Sequence, residues 1–357
     1  MIKRNFFLLT LLSLLTSCEV NKDSNVTMDS FSFISNFPHS GSLEELDSPY
    51  DEIGIRSMKV IDSLVIIDHR KNWNITDTSL TSLAHCFSIG AGPGEFLSIP
   101  YTQSSAYRLE NDSLVAYVYD PKARDIKRAN LTRLISLGDD DVRVSVSRGL
   151  MPELLWDVIP CDSTTFLMHV PNETITGFKR IIYSNGEEKE IEITKPLSDR
   201  YVDDSSDINL LAKVSIYDPN SDRFVEAMTH LNQINMYSRD GSWGRTICVG
   251  NKLDDLSAVQ ATGPAYQKRG YLSLSSIGKG FAASYSGMTE MDFELKGQSS
   301  TDIHIFNWDG EPIYKLTFPF QVSFIDIDYN NNILYVIDVT DDRLRKYDAT
   351  PVINAFM

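Results

Sequence analysis

Tyr271–Gly287 (YLSLSSIGKGFAASYSG) and Thr301–Pro319 (TDIHIFNWDGEPIYKLTFP) decide the fold. Between them they hold four short runs rich in β-branched and aromatic residues, the composition of strands. Gly278-Lys279-Gly280 separates the first run from the second, and Asp309-Gly310 separates the third from the fourth. Asp-Gly and Gly-rich steps favour tight hairpins because both turn residues tolerate positive φ. FAASY (281–285) is continuously apolar rather than alternating, which predicts a strand buried on both faces. The stretch therefore reads as one four-stranded antiparallel unit whose second strand is sandwiched between neighbouring sheets.

The same grammar recurs on both sides of it. Asp62-Ser63-Leu64, Asp112-Ser113-Leu114 and Asp162-Ser163-Thr164 stand fifty residues apart, and each precedes an apolar run. Asp218-Pro219-Asn220-Ser221-Asp222 precedes RFVEAM, and Asn330-Asn331-Asn332 precedes ILYVIDV. Asn185-Gly186 and Asp240-Gly241 repeat the second turn. No long capped amphipathic helix interrupts the pattern. The expectation is an all-β chain, a six-bladed β-propeller with four-stranded antiparallel blades. The blades are expected at about 48–98, 101–150, 151–200, 207–250, 264–319 and 321–353, within one domain over 28–357. The last has only three strands of its own. A strand from Val26–Leu46 is predicted to complete it and close the ring.

The chain has 357 residues and 42% hydrophobic side chains, which excludes wholesale disorder. Its 49 acidic and 33 basic residues give a formal charge of −16. That balance argues against a nucleic-acid partner and against docking on anionic lipid by charge alone.

Lys3 and Arg4 are followed by an apolar run over Phe6–Leu15, too short to span a bilayer but suited to a secretory leader. Leu15-Thr16-Ser17-Cys18 then resembles a bacterial lipobox. Residues 1–17 are expected to be removed, Cys18 to carry the lipid, and 18–27 to form a polar tether. Cys86, Cys161 and Cys248 remain, far apart and odd in number, with no CxxC. An exported chain permits one disulfide among them, although buried thiols are the default expectation.

Gly90-Ala91-Gly92-Pro93-Gly94-Glu95-Phe96 is the sharpest local motif. Its glycines allow tight backbone approach and Pro93 fixes a turn. No βαβ unit surrounds it, so a blade-to-blade connection is expected rather than a dinucleotide loop. The motif resembles the GxGPGEF signature of TolB-like six-bladed β-propeller lipoproteins of Bacteroides-type bacteria, themselves distantly similar to NHL-repeat propellers. The resemblance implies the fold and the lipid anchor, and no reaction.

No metalloprotease, serine-hydrolase or P-loop motif occurs. Asp139–Asp141 and Asp203-Asp204 lack the ligand alternation of a Ca²⁺ loop, so no cofactor is predicted. In a propeller, the connection between blades and the turn after each second strand emerge on one face. Function is expected there. The longest such segments are Leu197–Asn209, Asn251–Gly270 and Ser286–Ser300. Tyr266, Lys268 and Arg269 lie on one of them, His69, Arg70 and Trp73 on the corresponding turn of blade one, and Lys122 and Arg124 on that of blade two. Arg and aromatic residues together suit an anionic or peptide-like ligand. The leading expectation is a lipid-anchored cell-envelope binding or scaffold module for a protein, peptide or glycan, with the outer membrane as its expected site. The alternatives are a metal-assisted hydrolase or lyase with its site in the central funnel, and a purely structural envelope component.

Overall fold

The short apolar runs do form strands, and the turns between them carry the backbone the sequence demands. Asp62, Asp112, Asn185, Asp222 and Asn332 all take positive φ, between 52° and 62°. The computed structural model describes residues 31–48, 50–92, 94–138, 142–146, 155–171, 177–193, 197, 208–296 and 299–357. The expected leader and tether with Cys18, Pro93, Asp139–Asp141, Asp203-Asp204 and most of the 197–209 segment lie outside these residues.

Six sheets form the ring, each running from an inner to an outer strand. Blade one comprises Ile55–Ile61, Leu64–His69, Trp73–Asp77 and Ser82–Cys86. Blade two comprises Ala106–Glu110, Ser113–Asp120, Asp125–Asn130 and Val142–Val146. Blade three comprises Asp157–Pro160, Thr165–Pro171, Phe178–Ser184 and Glu187–Glu190. Blade four comprises Lys213–Asp218, Arg223–Met228, Gln233–Ser238 and Gly244–Val249. Blade five comprises Tyr271–Ser276, Gly280–Tyr285, Thr301–Asn307 and Pro312–Phe318. Blade six comprises Val322–Asp328, Ile333–Asp338, Arg343–Asp348 and the N-terminal Glu45–Leu46.

The second strand of every blade is buried on both faces, as its continuous apolar run requires. The core is divided accordingly, with one apolar cluster at each of the six blade interfaces. The outer strand of blade three, Glu187–Glu190, is exposed at every residue, whereas Thr246–Cys248 in that of blade four is buried.

The N-terminal segment does more than the single closing strand expected of it. Phe31–Ile34 pairs in parallel with the outer strand of blade four, and His39–Gly41 does the same on blade five. Glu45–Leu46 then pairs antiparallel with Arg343–Asp348 and closes blade six. The segment is a strap over three outer edges. Its strands have two to four residues each, too short to give a period.

Short helices also escaped the sequence reading, because five to seven residues show too little periodicity. Leu131–Leu137 is started by Asn130, whose side chain accepts from the Arg133 amide, and ends at Gly138 with φ 64°. Leu256–Gln260 and Glu290–Lys296 lie on the loops around blades four and five, and Thr350–Ala355 follows blade six. Among the described residues no helix is long and apolar enough to cross a membrane. Cys86, Cys161 and Cys248 are buried thiols.

One core residue sets a pH limit. His304 is buried between Phe37 and Tyr285, with ring centroids at 5.1 and 5.3 Å, and its Nδ1 has no partner. Burial pushes its pKa down from 6.5 to about 4. Between those values the unfolded chain binds a proton that the folded chain does not, so stability rises with pH across that window. The swing amounts to about 3 kcal/mol. His304→Phe should remove that contribution from urea midpoints taken from pH 4 to 7. A slope equal to that of wild type would refute the assignment.

Candidate functional site

The upper face of the ring carries the turns after each second strand and the connections between blades. The connection from blade one to blade two contains the glycine motif, and its geometry explains the glycines. The Glu95 carboxylate curls back to accept from the Gly92 amide at 2.6 Å. A Cβ on Gly90 would overlap that carboxyl group. Phe96 is fully buried, with the Lys127 ammonium 4.3 Å from its ring centroid. Lys127 also donates to the Glu95 carbonyl at 2.5 Å and lies 3.5 Å from Asp120. Asp120 accepts from the Leu97 amide at 2.7 Å and from the amides of Lys122 and Ala123. The motif therefore fixes one wall of the upper face by tying the inter-blade loop to the blade-two turn.

Beside that wall lies a cavity of about 430 Å³ between blades one, two and three. Arg56, Tyr101, Tyr119, Arg124, Trp156 and Asp157 line it. Arg56 Nη2 donates to Asp68 Oδ1 at 2.8 Å and to the Ile99 carbonyl at 2.7 Å. Its guanidinium lies 4.9 Å from the Tyr101 ring centroid, and its buried Nε has no hydrogen-bond partner. Burial, opposed by Arg56, pushes the Asp68 carboxyl up to about 7. Below that pH Asp68 is protonated and leaves the Arg56 charge less neutralised. Arg124 ends the blade-two turn with φ 57°. Trp156 packs on Phe178 with centroids 5.1 Å apart.

Asp157 connects the cavity to a buried ionic cluster. Its Oδ1 accepts from the Val158 amide at 2.9 Å, and its Oδ2 lies 4.0 Å from His169 Nδ1. His169 Nε2 is 2.6 Å from Glu226 Oε1. Glu226 also accepts from Arg180 Nε at 2.9 Å and Nη2 at 2.8 Å, from Lys213 at 2.8 Å and from the Tyr237 hydroxyl at 2.5 Å. Burial alone would raise the Glu226 pKa, but Arg180, Lys213 and His169 override it and hold the carboxyl well below its ordinary value. Burial, then repulsion from Lys213, lowers the pKa of His169. The imidazole is neutral, donates through Nε2, and leaves Nδ1 as a buried acceptor without a donor.

Of the sequence-selected residues, Arg124 lines this cavity, and Lys122 is exposed on the same turn. Arg70 is exposed on the blade-one turn. His69 and Trp73 do not reach the rim. Both belong to strands. His69 is buried against the Tyr50 hydroxyl at 2.6 Å, and Trp73 is fully buried and donates its indole N–H to the Pro100 carbonyl at 2.9 Å. Their bulk holds the chain before blade one and after it. Tyr266, Lys268 and Arg269 sit on a separate cap over blades four and five, where Lys268 bridges to Thr289 and the Arg269 amide donates to the Met288 carbonyl. Tyr266 is 61% exposed. None of these three lines the cavity.

Loop length drew attention to that cap, whereas the cavity is built from the starts of inner strands. A better signal was present. Glu226 in FVEAM (224–228) and His169 in FLMHV (166–170) are single polar side chains inside otherwise apolar runs, and such residues are buried only with partners.

The ring axis opens on the lower face as a second cavity of about 350 Å³. Thr102–Ser104 crosses the axis between the two cavities, with Gln103 donating to the Met58 carbonyl at 2.6 Å and accepting from the Ser276 amide at 3.3 Å. Lys59 donates to Asp326 at 3.0 Å and to the Ser276 carbonyl at 2.5 Å. These contacts brace the inner strands. Among the described residues no three His, Cys, Asp or Glu side chains converge as a metal site.

No family model matches the chain. No curated protein sequence matches it. Among solved structures it is similar to a member of the DUF4221 family from Bacteroides vulgatus, with a TM-score of 0.54 and 11% identity over 86% of this chain and 95% of that one. A protein of Bacteroides fragilis inferred to be exported aligns with a TM-score of 0.47 and 10% identity over 86% and 87% of the two chains. A luciferin-regenerating enzyme aligns with a TM-score of 0.45 and 9% identity over 85% and 94%. At such identities the likeness is one of fold.

Proposed function

We propose that the protein is a lipid-anchored cell-envelope binding module that takes an anionic ligand in the upper cavity between blades one, two and three. The observation that carries this reading is the pairing of Arg56 and Arg124 with Tyr101, Tyr119 and Trp156 around one recess of about 430 Å³. Arginine forks suit carboxylate or phosphate oxygens, and the aromatic faces supply apolar area at low entropic cost. The anchor rests on the basic start, apolar run and Leu15-Thr16-Ser17-Cys18, and on the resemblance of the glycine motif to TolB-like lipoproteins.

Two experiments test the parts separately. N-acetylphenylalanine should bind in a calorimetric titration and its amide should not, and Arg124→Gln or Tyr101→Ala should weaken binding at least about tenfold. Equal binding by acid and amide removes the anion site. Wild type expressed with its leader should partition with membranes and Cys18→Ala should not. Retention of the variant in the membrane fraction removes the anchor.

A further inference from the structure

We infer that the upper cavity recognises a zwitterion of amino-acid or short-peptide type, its carboxylate toward Arg56 and Arg124 and its ammonium toward Asp157. This deepens the reading above and rests on it.

The cavity is polar in two opposite senses. Blades one and two contribute Arg56 and Arg124, and blade three contributes Asp157. Behind each wall, closed off from solvent, lies an unfilled hydrogen-bonding atom. Arg56 Nε is a buried donor without an acceptor. On the other side, His169 Nδ1 is a buried acceptor without a donor, 4.0 Å from Asp157 Oδ2. His169 is fully buried, and its hydrogen bond to Glu226 places a proton on Nε2.

Two acceptors separated by that distance want a donor with more than one hydrogen. An ammonium group, with three hydrogens and a positive charge beside the Asp157 carboxylate, supplies such a donor, and an anionic group does not. Asp157 Oδ1 is already held by the Val158 amide, so Oδ2 is the atom that faces this task. A water molecule can fill the same place in the free protein, which an ammonium then displaces. The aromatic lining residues Tyr101, Tyr119 and Trp156 fit the body of an apolar side chain. A purely anionic ligand would leave the Asp157 wall facing an unpaired acceptor set, and such mismatches are strongly selected against.

The test is a titration with the dipeptide Phe-Ala in four forms: free, N-acetylated, C-amidated and doubly blocked. The free form is expected to bind, and blocking either end is expected to weaken binding at least about tenfold. In Asp157→Asn the free and acetylated forms should converge while the cost of amidation persists. A melting curve confirms that this variant is folded. If acetylated Phe-Ala binds wild type as tightly as the free dipeptide, the zwitterion is wrong and the anion site survives. If no form binds, the inference falls. Binding of N-acetylphenylalanine then decides whether the anion site falls with it.

Discussion

Deletion of residues 31–46 should destabilise the ring by about 5 kcal/mol and leave it prone to association. The figure follows from what the strap buries. Ile34 is 7% exposed, and Phe37 and Leu43 pack against the clusters of blades four to six. A fully buried side chain of this size contributes roughly 1.5–3 kcal/mol, and two of the three are only partly covered. Ordinary domains have about 5–15 kcal/mol in total. Deletion also uncovers Arg343–Asp348, whose outward hydrogen-bonding groups would face water without Glu45–Leu46. It removes the 2.8 Å ion pair between Arg345 and Glu45 as well. Thermal melts and size-exclusion profiles of the truncated chain check this. Phe37→Ala should reproduce about 2 kcal/mol of the loss without opening the ring. A truncated chain that melts with wild type would show that the strap is ornamental.

Glu226→Gln should cost about 3–5 kcal/mol, because Arg180 and Lys213 then stay buried beside a neutral amide. The loss should be smaller in a Lys213→Met background, since the two residues share one network. Strict additivity of urea midpoints would sink that view. The pH sense is the same as that of His304, in a lower window. The Glu226 carboxyl is held well below its ordinary value. Its contribution is therefore present above that ordinary value and lost only as pH falls through the depressed one. Acid unfolding of wild type should begin with the two buried histidines, His304 and His169, and Glu226 should matter only at lower pH.

The blades were legible because turn chemistry and apolar runs are local. Asp309-Gly310, Asn185-Gly186 and FAASY each state their conformation within a few residues. The strap was legible only as a closing segment. Its two parallel pairings bring residues 31–41 beside strands more than two hundred residues away, and such short strands carry no pattern of their own. The cavity was harder still. Arg56 and Asp157 each begin or nearly begin an inner strand, where sequence shows only a charge beside an apolar run. Their meeting depends on ring geometry. Trp73 misled for the opposite reason: next to Arg70 and a turn it reads as rim, yet it is the first residue of a strand and packs on Phe87 at 4.6 Å.

The parallel pairing of Phe31–Ile34 with the outer strand of blade four has a mechanical meaning. Register runs from Phe31 opposite Thr246 to Ile34 opposite Val249, so residue 31 lies toward the Asp240-Gly241 turn on the lower face. A pull on the N-terminus directed off that face runs along the strand axis. It loads the backbone hydrogen bonds of the pair in shear, all together, instead of peeling them one at a time. The closing pair at Glu45–Leu46 lies further along the strap and carries no load until the first pair gives way. A chain tugged from its N-terminus thus meets its stiffest resistance at blade four, with the ring seam shielded behind it.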